Sequence, residues 1–108
     1  MVSAELALTV PSILLVLAIC LTALALAIDL VRVTDAARVG ARAASRGEAP
    51  AEVQRLVLDR APEGSHLHVG HEDELVVVRV EAPSRSRLIP LPQAQAQASA
   101  VWEPGAGP

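Results

Sequence analysis

Phenylalanine, tyrosine, lysine and asparagine are all absent from this 108-residue chain, which has one tryptophan and one cysteine. With one aromatic side chain there is no stacking platform for single-stranded nucleic acid. A net charge of −3 gives no overall basic field for the phosphate backbone, so nucleic acid is not an expected partner. A single cysteine cannot close an intramolecular disulfide or build a multi-cysteine metal cage. There is no G-x-S-x-G nucleophile elbow and no phosphate-binding glycine loop, so a hydrolase has no support and no cofactor is expected. Charge is also absent over one long stretch, and that absence says most about the chain.

From Leu6 to Ile28 there are 23 residues without a charge. At 1.5 Å per residue this run spans about 34 Å, enough for a hydrocarbon layer of about 30 Å. A single transmembrane helix is expected. The competing reading, a cleaved secretory signal, wants basic residues before the run and a small-residue cleavage site after it; instead the run passes at Asp29 into a polar helix. Thr9, Ser12 and Thr22 can bond back to their own helix at little cost. Pro11 removes one amide donor and predicts a kink or break against Ala7. Cys20 falls mid-run and reads as an inert apolar side chain. Glu5 stands immediately before the run. Its carboxylate suits the positive end of a helix, or it is a pairing site for a neighbour's amino terminus, and the physics leaves both open.

The helical pattern continues through residues 29–46, so one helix is expected from near Ser3 to near Arg46. Asp29 with Arg32 and Asp35 with Arg38 are spaced as i, i+3 ion pairs, and Arg38, Arg42 and Arg46 form one stripe. Ala36, Gly40 and Ala44 form a second, small-residue stripe. It reads either as an ordinary alanine-rich solvated face or as a surface that packs against copies or relatives of the chain. Gly47–Pro50 breaks the helix, and Pro50, Glu52, Val53, Leu56 and Val57 predict a short second helix ending near Arg60. His66–Val69 reads as a strand with Leu67 and Val69 inward, and Gly70–Asp73 as a turn. Glu74–Ala82 is the clearest strand, with Val76, Val78 and Val80 on one face. Pro83–Pro92 is a loop carrying Arg85, Arg87, Leu88, Ile89 and Leu91. Gln93–Glu103 is a third strand despite weak strand formers, and 104–108 a disordered tail. The fold class is therefore α+β, with a small domain over 47–103. Those residues are too few to hold much core alone and must lean on the helix, the membrane or partners.

His66, His68 and His71 beside Glu72, Asp73 and Glu74 are the only candidates for a metal site. A zinc site needs convergent ligands, and the inward positions belong to Leu67 and Val69, so the histidines read as solvated. Arg85, Arg87 and the Arg38 stripe are candidates for touching anionic lipid head groups.

Met1-Val2-Ser3-Ala4-Glu5, then Ala7-Leu8-Thr9-Val10-Pro11, then Val33-Thr34-Asp35-Ala36-Ala37-Arg38, then Ala41-Arg42-Ala43-Ala44-Ser45-Arg46-Gly47 form a distinctive order. It resembles the type IV pilin-like proteins, and more closely the TadE-like minor pilins of tight-adherence (Flp) pilus systems, in particular the short actinobacterial ones. The likeness runs along essentially the whole chain and is most specific in its N-terminal half. It implies a precursor with a short basic leader ending in glycine, removed by a membrane prepilin peptidase, with Met1 as the first mature residue. It implies that Glu5 pairs with the terminal amine of an adjacent subunit while the apolar run packs in the filament centre. The implied partners are membrane lipid, the major pilin, a second TadE-like protein and the peptidase. The arginines after the run, taken alone, place the C-terminus inside; the resemblance implies the reverse, N-terminus in and C-terminus out. The expected function is that of a minor pilin or pseudopilin, structural rather than enzymatic. The alternative is an unprocessed single-pass membrane accessory protein, scaffolding a secretion or envelope complex through its small-residue helix face. A metal-dependent envelope enzyme built on the histidines is a third and weaker reading.

Overall fold

One helix organises the molecule. In the computed structural model, which describes residues 2–86 and 88–105, α1 runs from Val2 to Ser45 without interruption. Its 44 residues make a rod of about 66 Å. The chain is accordingly elongated, 76 × 20 × 18 Å, with a radius of gyration of 19.9 Å where a compact chain of this length would have about 13 Å. Met1, Arg87 and residues 106–108, which hold most of the expected tail, lie outside the described residues.

The expected break at Pro11 does not occur: Pro11 sits inside the continuous helix. A proline costs one amide bond and crowds one carbonyl, here that of Ala7; the hydroxyls beside it bond to other carbonyls. The Thr9 hydroxyl donates to the Glu5 carbonyl at 2.6 Å, and the Ser12 hydroxyl to that of Leu8 at 2.7 Å. At the other end Gly47 adopts φ 81°. The Glu48 amide then reaches the Ala43 carbonyl at 3.3 Å and the Gly47 amide that of Ala44 at 3.0 Å. This glycine-dependent cap satisfies carbonyls that the helix end leaves free.

A short helix α2 (Pro50–Arg60) and three strands follow: β1 (His66–Glu72), β2 (Leu75–Glu81) and β3 (Gln95–Val101). The strands form an antiparallel meander in the order β1-β2-β3. The fold is α+β, as its sequence pattern predicts. The β1–β2 turn differs from expectation. Gly70 is not a turn residue but pairs with Val77, and the ladder continues to Glu72 opposite Leu75. The turn is Asp73–Glu74 alone, with Asp73 at φ 54°, a left-handed conformation that aspartate tolerates better than most residues.

The second half of α1 lies across the sheet. Val33, Ala36, Ala37, Ala41, Ala43 and Ala44 are buried with Val76, Val78 and Val80 of β2 and Val53 and Val57 of α2. Each fully buried valine is worth about 1.5–3 kcal/mol in transfer terms. Ala94, Ala96, Ala98 and Ala100 pack against this cluster, so alanines meet alanines and the helix approaches β3 closely. An alanine-rich strand is stable here because the helix covers it, not because of its own propensity. Much of the core comes from α1, so residues beyond 47 do lean on the helix. A boundary drawn after Arg46 would cut through that core.

Candidate functional site

The small-residue stripe has its partner within the chain. Ala36, Gly40 and Ala44 are buried, and a Cβ built on Gly40 would sit 2.5 Å from Val57 Cγ2 and 3.1 Å from Val78 Cγ1. The expectation that this face is solvated or receives another copy of the chain is corrected: α2 and the sheet fill it. Glycine is needed at this position because α2 and β2 both close on it.

The expected pairs along the helix are also replaced by longer-range ones. Asp29 does not pair with Arg32. Arg85 takes it in a two-pronged bond, Nε to Oδ2 at 2.7 Å and a terminal nitrogen to Oδ1 at 2.6 Å. Asp29 is 3% exposed, whereas the Arg85 side chain keeps 43% of its surface in contact with solvent. The carboxylate's hydrogen bond and charge raise the guanidinium pKa further above its ordinary value, against a weaker effect of burial. Asp35 pairs with Arg60 at 3.1 Å instead of with Arg38, and Arg32 donates to the Ala61 carbonyl at 3.3 Å. Tertiary contacts win because α2 and the β2–β3 loop bring better-oriented guanidinium groups to these carboxylates than the helix's own arginines. Of the candidate head-group arginines, Arg85 is therefore committed to Asp29 and Arg46 to Glu48 at 3.2 Å. Arg38 and Arg42 are exposed, and Arg87 lies outside the described residues.

The histidines do not converge. His66 and His68 stand opposite Glu81 and Arg79, on the sheet face away from α1. His71 stands opposite Val76, on the helix-facing side, and stacks on Trp102 with ring centroids 5.1 Å apart. Among the described residues no group of three or more His, Cys, Asp or Glu could hold a metal ion. Moving the turn to Asp73–Glu74 is what puts His71 on the opposite face. Leu67 is half-buried as an inward residue should be, but Val69 is 47% exposed, because β1 is an edge strand that α1 does not cover.

What remains is the first half of α1. Leu6, Leu8, Val10, Ile13, Leu14, Leu15, Val16, Leu17, Ile19, Leu21, Leu24 and Ile28 are all exposed. Cys20 is exposed on the same surface. Glu5 lies in the first turn, at the far end of this surface from the folded unit. Such a large apolar area has no place in water, and α1 is long and apolar enough to cross a membrane. Asp29 is the first charge after the run, so the Asp29–Arg85 pair marks its border. Sequence reasoning missed this pair: 56 residues separate its members. The available signal was the pair Arg85 and Arg87 just before the uncharged stretch Leu88–Pro92.

Compared with known proteins, the chain is 37% identical over 103 residues to the Mycobacterium tuberculosis protein named Apoptosis inhibitor Rv3655c, the match covering 94% of this chain and 78% of that protein. No family model matches the chain, and no solved structure does.

Proposed function

We infer a structural role at the membrane from the premise that the chain belongs to the family of the Mycobacterium tuberculosis protein named Apoptosis inhibitor Rv3655c. The reading is a pilin-like subunit, a minor pilin or pseudopilin taking part in assembly of a tight-adherence (type IV) pilus. Apoptosis inhibition belongs to the relative's name, and nothing in this chain's geometry speaks to it.

One observation carries the reading. The apolar half of α1 projects bare from a folded unit whose own core is already complete, and an acid stands alone at its tip. A helix of this kind can be held in lipid as a precursor and then transferred into a bundle of like helices. Both surroundings are apolar, so the transfer costs little. A carboxylate carried into such a bundle is expensive unless it is paired. The terminal amine of a neighbouring helix is the complementary charge, and the pairing of Glu5 with it would set the stagger between subunits. In this reading the N-terminus faces the cytoplasm and the α2–sheet unit lies outside. The protein is a structural element and not an enzyme. Its partners are lipid, the major pilin, a second TadE-like protein and a prepilin peptidase. A scaffold working through the small-residue face fits less well, since that face is covered.

The test is Glu5→Ala in the native host. Membrane levels should remain as in wild type while sheared surface pili fall, and mature N-termini should require the prepilin peptidase gene. Unchanged piliation together with an N-terminus indifferent to the peptidase would overturn the reading in favour of an unprocessed membrane protein.

A further inference from the structure

Between β2 and β3 the chain does not turn tightly but runs out through residues 83–86 and back through 88–93. This loop descends along α1 towards the apolar run. Ile89 and Leu91 line a groove together with Thr22, Ala25 and Leu26. Those three positions are the only half-buried ones between Ser3 and Ile28, and they share the helix side on which the loop lies. Leu88 points outward and is 96% exposed, with Ile89 64% exposed beside it. Thr22 lies seven residues before Asp29, so the loop reaches about 10 Å past the border of the run.

The chemistry of the tip suits an apolar layer. Leu88–Pro92 carries no charge. Backbone amides in lipid must be satisfied within the protein. Pro90 and Pro92 have none, and the amides of Leu88 and Ile89 both donate to the Ser86 hydroxyl, at 3.3 and 3.1 Å. Leu91 then has the one remaining amide in this stretch. Behind the tip, Arg85 holds Asp29 by two bonds, fixing the loop's height against the helix and neutralising the carboxylate at the border.

We propose that the β2–β3 loop is a second membrane contact, with Leu88, Ile89 and Leu91 inserted into the leaflet nearest the folded unit and the Arg85–Asp29 pair seated at its surface. The occupant of this surface is the lipid acyl layer. A lone exposed leucine needs no partner, but this one continues, at the same depth, the surface of a helix segment that itself requires lipid. The inference rests on α1 crossing a membrane, and not on the pilus reading.

The full chain carrying Cys20→Ala, with a single new cysteine at Leu88, Ile89, Leu14 or Gln97, is labelled with an environment-sensitive fluorophore and reconstituted in phosphatidylcholine vesicles. Quenching by doxyl lipids, shallow or deep, is compared with quenching by aqueous iodide. Labels at 88 and 89 should be quenched by the shallow doxyl lipid about twofold or more over the label at 97, as for side chains seated at the head-group and acyl boundary. The label at 14 should respond best to the deep doxyl lipid. Labels at 88 and 89 as open to iodide as that at 97, with 14 still deep, would overturn the inference while leaving the membrane helix intact. Labels shielded from both quenchers would overturn it in favour of a protein covering. A label at 14 open to iodide would remove the membrane helix and the inference with it.

Discussion

The two halves of α1 are equally helical and each has apolar side chains to bury, yet they meet different surroundings. From Ser3 to Ile28 the helix presents leucine, isoleucine and valine to the outside; from Asp29 to Ser45 it buries alanine, glycine and one valine under a sheet. Charge separates them along the chain, since the second half carries Asp29, Arg32, Asp35, Arg38 and Arg42. Their apolar side chains also differ in size. Lipid chains conform to large side chains at any spacing, whereas a sheet and a second helix can approach only where side chains are small. Gly40 is the extreme case, with two elements, α2 and β2, crowding the place of its missing Cβ. The lesson is that a small-residue stripe marks close approach, and the partner can be the chain's own sheet.

The sharpest way to break this contrast is to make one change in both halves. Gly40→Leu drives a branched side chain into Val57 and Val78 and should cost about 3 kcal/mol or more by overpacking, seen as a lowered or absent thermal transition of the detergent-solubilised protein. Ala18→Leu, on the exposed half, should leave that transition where it was. Equal effects at the two sites would end the distinction.

A smaller effect is expected at the junction between the halves, with a definite order. Arg85→Gln strands a buried carboxylate, while Asp29→Asn leaves an arginine that already reaches solvent. Uncompensated buried charge is the costlier outcome. The melting temperature should therefore fall further for Arg85→Gln than for Asp29→Asn, and the reverse order would show that the pair is held for reasons other than burial.

Much of the molecule is legible in its residues. The apolar half of α1, long enough to cross a membrane, is plain from 23 positions without charge, β2 from valine at every second position, and α2 from Pro50 and its apolar face. The partner of Ala36, Gly40 and Ala44 is not legible, because the same stripe serves self-association and intramolecular packing alike. Asp29–Arg85 is hidden by loop closure over 56 residues, where local i, i+3 spacing offers a more obvious but wrong partner. His71 is misplaced because β1 runs three residues past Val69, so His71 joins the ladder instead of a turn and, being an odd number of residues from His66 and His68, falls on the other face. Of the candidate site, Glu5 is visible as an isolated acid, while the loop tip reads only as an apolar group without a location.

The smallest expected effect concerns a part far from the apolar run. Glu52 accepts two hydrogen bonds from Arg55, at 3.2 and 2.5 Å, which hold its carboxyl below the usual glutamate range against a slight opposing effect of burial. A carboxyl lowered on folding stabilises above its unfolded value and loses that contribution as pH falls through its folded value. The difference in melting temperature between wild type and Glu52→Gln should be small and constant near neutrality, and should vanish in acid. A difference that grew in acid would contradict the pairing.

The continuity of α1 through Pro11 and across Asp29 has a mechanical meaning. A hinge between anchor and domain would let the domain swivel freely over the membrane. Without one the two turn together, like a blade on a shaft. Each helical residue contributes about 100° of rotation, so the compass direction in which the sheet faces is dictated by how the first half of the helix is seated among lipids or neighbouring helices. Whatever grips that half also aims the other.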